Sequence, residues 1–323
     1  MYLVTDSVDP AYNLAFEEYV LREKKQEDWL MLWSNDRSVI LGQNQLAAQE
    51  VDLAYARKLG IKIVRRMSGG GAVYHDTGNL NYSFITDTGD VGQISMTGFV
   101  EAIVSALRGL GLRAEASGRN DILVNGCKVS GTADRLCGKR ILHHGTLLFD
   151  SNLETAAAVL KPRPGKFESK ASKSVRARIC NIKDCLAEDM TMSEFRDYMA
   201  RQLCRDPAPR RLTNNELDAV RRLADEKYRT DEWNFGYEAS FDYENSARFP
   251  GGTLEVRLTV EDDVIADISF YGDFLSRISQ DEVIAALRGC PYRREDVLRR
   301  LEGALVYDSF GHITAKEIVS IIV

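Results

Sequence analysis

The chain has 323 residues, which predicts two domains at about 100 to 200 residues per domain. Its composition, 44% hydrophobic and 28% charged with only 7 Pro, is that of a folded globular protein and excludes collagen-like, disordered and repeat classes. Lys and Arg number 42 against 48 Asp and Glu, and the net charge of -6 is opposite in sign to a typical nucleic-acid-binding surface, so nucleic acid is not an expected partner.

The first half of the chain mixes helical and strand patterns. Asp9 and Pro10 supply an N-cap and a first-turn proline, which predicts a helix over residues 10–24, and we interpret its adjacent Glu17 and Glu18 as a solvated face. The other elements predicted up to residue 149 are strands 29–33 and 38–41, helix 47–59, strands 61–66, 72–74 and 80–85, helix 100–110, and strands 121–124, 128–130 and 141–149.

Helix starts in the second half are marked by Ser/Thr-x-x-Glu capping boxes. The pairs are Ser151 with Glu154, Thr191 with Glu194, Thr213 with Glu216, Ser279 with Glu282, and Thr314 with Glu317. We interpret the polar segment 229–236 as a linker, which divides the chain into domains 1–236 and 237–323. The elements predicted beyond it are antiparallel strands 237–243, 254–260 and 264–271 and helices 280–288, 294–303 and 314–321. The pattern predicts an α/β (α+β) protein, with mixed sheets flanked by helices and a small α+β second domain.

Targeting signals and metal-binding patterns are not found in the sequence. No apolar run approaches the roughly 20 residues of a membrane span, and the N-terminus lacks the features of a secretory signal. We therefore expect a cytoplasmic protein without a membrane partner. The six cysteines are spread through a long chain without C-x-x-C or zinc-finger spacing, so we predict free and mostly buried thiols, and the sequence identifies no metal ligands.

The segment from Arg65 to Asp76 is the densest unusual motif, with two arginines, Ser68 and three consecutive glycines at the end of a strand. Three glycines contribute no side-chain packing, so they indicate unusual dihedral angles or the close approach of another group. A tight hairpin turn is one interpretation. The other is a cradle of N–H groups and positive charge for phosphate or carboxylate oxygens.

A second cluster surrounds Lys128. Asn125 and Gly126 are a strong hairpin signal and present Lys128 at the start of the returning strand, although an ordinary exposed lysine remains an alternative. Cys127 is adjacent, and strand alternation points it away from Lys128.

Two further segments carry histidine or clustered positive charge. His143 and His144 lie side by side on one strand, so they face opposite ways and cannot chelate one metal. Residues 161–178 hold seven Lys or Arg against one Glu, which fits either a solvated basic loop or a flap over an anionic ligand.

These motifs, in this order, resemble the lipoate-protein ligase A family. RRMSGGGAVYHDTGNLNYSF is similar to the signature of that family, GRNDILVNGCKVSGTA to its lysine segment, and HHGTLL and KSVRARICNI follow at the expected distances. WNFG and the later strands are similar to the linker and accessory domain of full-length members. The resemblance covers nearly the whole chain and implies a catalytic domain related to that of biotin ligases.

The resemblance implies a two-step reaction. Lipoate and ATP, with Mg²⁺, give lipoyl-adenylate and pyrophosphate. The lipoyl group then passes to a lysine of an acceptor, either the lipoyl domain of a 2-oxoacid dehydrogenase E2 subunit or the glycine cleavage H protein. We expect a monomer with these proteins as partners.

Site roles also follow from the resemblance, position by position. Lys128 is the expected catalytic residue and contacts both substrates. The other residues expected to bind ATP or the adenylate are Arg66, Gly71, Ala72, Val73, Tyr74, Asp121 and Thr146. The other residues expected to line the lipoyl site are Ser68, Gly69, Gly70, His75 and His144. The expected adenylate-binding loop contains Lys170, Lys173, Ser174, Arg176 and Arg178.

Two positions depart from the family pattern. Leu46 stands where Asn often follows the Gly-x-x-Gln segment, and Cys127 precedes the lysine. The cysteine leaves open a second reaction class, an octanoyltransferase or lipoyl-relay amidotransferase that moves an acyl group through a thioester without ATP. A non-catalytic protein that binds the acyl-adenylate is a third hypothesis.

Overall fold

The computed structural model describes residues 1–88, 96–118, 120–160, 179–236, 242–261 and 263–323. Its largest unit is an eight-stranded mixed sheet in the order β11-β1-β2-β6-β10-β9-β8-β7. Strand β1 pairs in parallel with β2 and β11, and the remaining neighbours are antiparallel. The strands are β1 (Tyr2–Leu3), β2 (Trp29–Trp33), β6 (Asn79–Asp87), β7 (Ala114–Ser117), β8 (Asp121–Val124), β9 (Cys127–Cys137), β10 (Arg140–Leu148) and β11 (Pro209–Arg210).

Helices cover both faces of this sheet, so its central strands are buried on both sides. In β2, Leu30 and Leu32 join a core with helices α4 (Met96–Gly109) and α6 (Met192–Leu203). The alternating residue Met31 joins a second core with α1 (Pro10–Glu23) and α7 (Asn214–Leu223). The strands β1, β2, β6 and β10 therefore contribute to both cores, because successive side chains of a strand point to opposite faces.

A small sheet packs against the second core and carries the triple-glycine segment. Strand β3 (Ser38–Leu41) lies between β4 (Lys62–Arg65), which is parallel to it, and β5 (Val73–His75), which is antiparallel. Residues 66–72 connect β4 to β5 and are called the glycine loop below. The neighbouring helices are α2 (Ala47–Glu50), α3 (Leu53–Lys58) and α5 (Leu153–Val159).

The C-terminal region has its own apolar core. Strands β12 (Tyr243–Phe249), β13 (Gly252–Glu261) and β14 (Val264–Gly272) form an antiparallel sheet. Their apolar faces pack against the helices that follow. These helices are α9 (Asp281–Leu287), α10 (Arg294–Glu302), α11 (Val306–Phe310) and α12 (Ala315–Ile322). Within the described ranges, no helix combines the length and apolar character needed to cross a membrane.

Several predicted elements differ from the structure. The helix predicted over residues 47–59 is interrupted, because Val51 adopts an extended conformation and Asp52 starts a new helix by accepting from the Tyr55 N–H. The predicted linker 229–236 is wrong in part, because Asp231–Phe235 form helix α8 after a π-helical turn at Ala224–Tyr228. The predicted strand 237–243 falls largely outside the described residues, and β12 begins at Tyr243.

Three of the five capping boxes are confirmed, those that begin at Thr191, Thr213 and Thr314. The box predicted at Ser151 is wrong, because the next residue, Asn152, caps α5 by accepting from the Thr155 N–H. The box predicted at Ser279 is also wrong, because its hydroxyl donates to Asp281 and the helix begins two residues later.

Candidate active site

Arg65, the residue before the glycine loop, is buried, and the described hydrogen-bond partners of its guanidinium are all backbone carbonyls. They are the carbonyl oxygens of Gly42, Gln43, Gln45, Trp233 and Asn234. The last two belong to α8, so part of the segment predicted to be a linker binds the end of β4, where the glycine loop starts. Burial lowers the pKa of Arg65 to about 10, which leaves the guanidinium charged at neutral pH.

Arg66 shapes the loop itself. Its Nη2 donates to the carbonyl oxygens of Gly69 at 2.6 Å and Gly71 at 2.9 Å, and its Nε donates to the Ser68 hydroxyl at 3.0 Å. Gly70 has a φ of 90°, a conformation that side-chain-bearing residues rarely adopt, and this turn directs the carbonyls around the guanidinium. The side chain of Arg66 is buried, so in this structure it acts on the loop rather than on solvent-exposed groups.

Ser68 is connected to the core through His144 and Glu17. The Ser68 hydroxyl lies 2.6 Å from His144 Nε2, and His144 Nδ1 lies 2.9 and 3.0 Å from the two carboxylate oxygens of Glu17. Glu17 and Glu18 are only 1% and 2% exposed, so the interpretation of this pair as a solvated face is wrong. Glu18 instead accepts hydrogen bonds from Arg22, Lys227 and Tyr228.

His75 is a neutral, buried histidine near Arg66 and His144. The Asn35 amide donates to its Nδ1 at 3.0 Å, because the Asn35 carbonyl oxygen already accepts from Asn13. The proton therefore sits on Nε2, which has no partner among the described residues. Burial, with a smaller contribution from the positive charge of Arg66, lowers the pKa of His75 to about 3.

Lys128 is presented as the sequence predicts. Asn125 and Gly126 have φ values of 52° and 79°, so both adopt the left-handed conformation of a tight hairpin turn between β8 and β9. Lys128 Nζ forms an ion pair with Asp121 at 2.7 Å, with 38% of the side chain exposed. The end of the lysine chain passes over Gly131, where no side chain obstructs it.

The remaining predicted ATP-binding residues lie on the two sheets and at the end of the glycine loop. Thr146 on β10 accepts from the Gly131 N–H at 3.3 Å, so it adjoins the Lys128 hairpin. The tyrosine ring of Tyr74 is buried in the core of the small sheet, whereas a side chain added at Gly71 would meet no atom within 4 Å. Ala72 and Val73 continue the chain from the glycine loop into β5. The predicted adenylate-binding loop, including Lys170, Lys173, Ser174, Arg176 and Arg178, lies outside the described residues.

The C-terminal region contacts the glycine loop directly, a feature that the sequence did not reveal. The Gly70 N–H donates to the Phe274 carbonyl at 3.0 Å and the Gly69 N–H to the Ser276 carbonyl at 3.4 Å. The Asn44 side chain also donates to the Ser276 hydroxyl at 3.0 Å. In this arrangement the N–H groups of Gly69 and Gly70 are paired with carbonyls and are not free to form the anion cradle that was one of the two interpretations of this segment.

The adjacent histidines His143 and His144 point to opposite faces of the sheet, as predicted. His143 pairs with Asp134 and stacks on Phe99, on the face of the sheet opposite His144. All six cysteines are free thiols, as predicted, but the prediction that most of them are buried is wrong, because only Cys290 is buried and the other five are partly exposed. Burial and the neighbouring thiols of Cys185 and Cys127 raise the pKa of Cys180 to about 12. In the described part of the chain, no group of three or more His, Cys, Asp or Glu side chains could hold a metal ion.

Family models match both parts of the chain. The lipoyl protein ligase A/B catalytic domain matches residues 9–204, and the bacterial lipoate protein ligase C-terminus matches residues 238–322. A lipoate-protein ligase of Bacillus subtilis, LplJ, is 38% identical over 97% of both chains. Lipoate–protein ligase 1 of Staphylococcus aureus is 37% identical over 96% of both.

Solved structures show the same fold. LipL1 of P. falciparum, in complex with lipoate, matches with a TM-score of 0.80 at 23% identity and covers 94% of both chains. An archaeal bipartite lipoate protein ligase from Thermoplasma acidophilum, described with its E2 lipoyl domain, has a TM-score of 0.66 at 34% identity and covers 75% of this chain and 98% of its own. A lipoate-protein ligase A bound with ATP has a TM-score of 0.64 at 32% identity, covering 73% and 98%. The chain therefore belongs to the lipoate-protein ligase family of enzymes and carries both its catalytic and its C-terminal parts.

Proposed function

We propose that this enzyme activates lipoate with ATP and then transfers the lipoyl group to an acceptor lysine. In the first step, a lipoate carboxylate oxygen bonds to the α-phosphorus of ATP and pyrophosphate leaves. In the second, the acceptor amine bonds to the acyl carbon and AMP leaves. The activation is needed because a free carboxylate does not acylate an amine at neutral pH.

The observation that carries this proposal is the setting of Lys128. The first step brings the negative charge of the carboxylate against that of the α-phosphate, and a fixed positive charge at this point lowers the barrier. Lys128 offers such a charge at the end of a rigid hairpin, and its ion pair with Asp121 is exposed enough to be exchanged for a ligand. The relative bound with ATP supports the nucleotide, and the relatives named lipoate-protein ligases support lipoate as the acyl substrate.

The other site residues are proposed to divide between the two substrates. Arg66 with the backbone of residues 71–74, together with Asp121 and Thr146, serves the nucleotide. Ser68, Gly69, Gly70, His75 and His144 line the lipoyl site. Arg66 contributes through the shape of the glycine loop, since its donors are engaged by loop oxygens in this structure.

Mg²⁺ is proposed to enter with ATP. The described residues contain no preformed three-ligand cluster, and Mg²⁺ commonly binds through one or two carboxylates and substrate phosphates. Asp121 is the carboxylate beside Lys128 and would be its protein ligand. Bound there, the ion would neutralise phosphate charge.

The proposed acceptors are lipoyl domains of E2 subunits and the glycine cleavage H protein, and the proposed compartment is the cytoplasm. The archaeal relative described with its E2 lipoyl domain supports the first. We also propose the division into domains 1–236 and 237–323, which is supported by the separate apolar core of the C-terminal region.

The test is lipoate-dependent release of pyrophosphate from ATP by the purified enzyme, without an acceptor protein. We expect pyrophosphate release when lipoate is present and no release when it is absent. An amidotransferase acting through Cys127 would release no pyrophosphate and would move an acyl group from a carrier protein without ATP. That outcome would overturn the proposal.

A further inference from the structure

A continuous chain of hydrogen bonds runs from the centre of the large sheet to the glycine loop. It begins at the Trp33 indole, which donates to the Ser83 hydroxyl at 2.9 Å, and the Ser83 hydroxyl donates to Glu17 at 2.6 Å. Glu17 contacts His144, and His144 contacts Ser68, with the distances given above. Ser68, Ser83 and Glu17 are at most 1% exposed and His144 is 7% exposed, so water does not compete for these bonds.

Glu17 determines where each proton in this chain lies. The proton of Ser83 is directed to Glu17, because the Ser83 oxygen accepts from Trp33. A carboxylate cannot donate, so His144 must carry a proton on Nδ1. In the neutral imidazole, Nε2 then accepts from the Ser68 hydroxyl, whose oxygen in turn accepts from Arg66. The carboxylate therefore sets the tautomer of the histidine and, through it, the orientation of the serine.

Glu17 also balances the charge of the glycine loop. The described partners of Arg66 are neutral oxygens, so this buried guanidinium has no directly bonded counter-ion. Burial lowers its pKa to about 10, and the negative charge of Glu17 acts in the opposite direction. Glu17 thus favours the charged form of Arg66, although His144 and Ser68 lie between them in the hydrogen-bonded chain.

We propose that Glu17 is a positioning residue for lipoate binding, acting through His144 and Ser68 on Arg66 and the glycine loop. This rests on the proposed function in that it takes the glycine loop as part of the lipoyl site. Glu17 does not react with either substrate. It keeps the loop in the shape that receives lipoate.

The substitution Glu17→Gln tests this proposal because it keeps the size of the side chain and removes the charge. The amide nitrogen would face a donor, either Ser83 or His144 Nδ1, and the mismatch is relieved if the His144 proton moves to Nε2. Ser68 would then receive donors from both Arg66 and His144. Glu18→Gln is a matched control, since Glu18 is the adjacent residue of α1, is similarly buried and also accepts several hydrogen bonds, but from Arg22, Lys227 and Tyr228 and not from His144.

Four measurements are made on wild type and both variants: thermal unfolding, lipoate binding by calorimetry, the lipoate KM and kcat for pyrophosphate release, and the tautomer of His144 from its ¹⁵N shifts. The protein contains only four histidines, which permits assignment. For Glu17→Gln we expect lipoate affinity to fall about tenfold or more, because a hydrogen bond to a charged group is lost from a buried chain, and KM to rise more than kcat falls. We also expect the His144 proton to appear on Nε2.

Glu18→Gln should lower stability while lipoate affinity and the His144 tautomer stay at wild-type values. Wild-type affinity and tautomer in Glu17→Gln, or an equal loss in Glu18→Gln, would overturn the proposal. If Glu17→Gln does not fold, Glu17→Asp keeps the charge but shortens the reach to His144. Weakened lipoate binding in that variant supports the proposal, and wild-type binding overturns it.

Absence of pyrophosphate release by the wild type would refute ATP-dependent activation alone, because lipoate binding and the tautomer are measured without ATP.

Discussion

Replacing Gly69 with alanine tests the contact between the C-terminal region and the glycine loop. A Cβ at this position would lie 2.5 Å from the backbone nitrogen of Ser276 and 2.7 Å from the carbonyl oxygen of Phe274. Both atoms are backbone, so no side chain can simply rotate away. The segment that contains them must retreat by about 1 Å to reach ordinary van der Waals contact.

The cost of this retreat can be bounded. Overpacking of a tight contact typically costs about 1–3 kcal/mol. The hydrogen bonds from Gly69 and Gly70 to this segment are worth about 0.5–1.5 kcal/mol each when well formed, and the Gly69 bond is already long at 3.4 Å. We therefore expect Gly69→Ala to destabilise the docked C-terminal region by about 1–3 kcal/mol, without altering the core of either sheet.

Hydrogen exchange and urea unfolding measure this effect, with Gly71→Ala as the control. Gly71 belongs to the same glycine triplet, but a Cβ there meets no atom within 4 Å. Gly69→Ala should speed amide exchange in residues 270–277 and in the glycine loop, and Gly71→Ala should leave exchange in 270–277 unchanged. If the two variants exchange and unfold alike, the described contact does not hold the C-terminal region in place.

Three other substitutions test separate parts of the account. Lys128→Ala should reduce the rate of lipoyl-adenylate formation roughly a hundredfold or more, which is the effect of removing a single charge-stabilising donor from an active site. The unfolding curve should not change, because the lysine side chain is partly exposed. Adenylation at the wild-type rate would contradict the role assigned to Lys128. Cys127→Ser should retain ligation of lipoate to a lipoyl domain, and loss of ligation in a stable variant would favour the thioester route. Burial alone would raise the pKa of Glu18, but the charge of Lys227 and hydrogen bonds from its neighbours hold it below the ordinary value. Ionised Glu18 therefore contributes to the free energy of unfolding in full above about pH 4.3, and this contribution is lost as the pH falls through the folded-state pKa. Glu18→Gln should make the free energy of unfolding less dependent on pH in this acid range. An unchanged pH profile would contradict this role of Glu18.

Local signals in the sequence predicted the elements that depend on neighbouring residues. The Asn125–Gly126 turn is one such signal, because left-handed dihedral angles favour these two residue types wherever they occur. The glycine triplet likewise indicated a close approach, and Gly69 does pack directly on another backbone.

Interactions between distant parts of the chain were not predictable in this way. Glu17 looks like a surface acid on an exposed helix, and its partners Ser83 and His144 are 66 and 127 residues away. Residues Asp231–Phe235 read as a linker because they are polar, but their carbonyls support Arg65, which is 168 or more residues away. Burial of polar groups depends on tertiary partners, which composition and periodicity do not reveal.

The most direct test of the central claim is a single-turnover experiment with radiolabelled lipoate, ATP and excess enzyme, quenched in acid and analysed for the acyl-adenylate. We predict that lipoyl-adenylate accumulates on the enzyme together with one equivalent of pyrophosphate. Addition of a lipoyl domain without further ATP should then convert the adenylate to lipoylated protein and AMP. Lipoylation of the domain without any adenylate, or label that remains attached covalently to the enzyme, would contradict it.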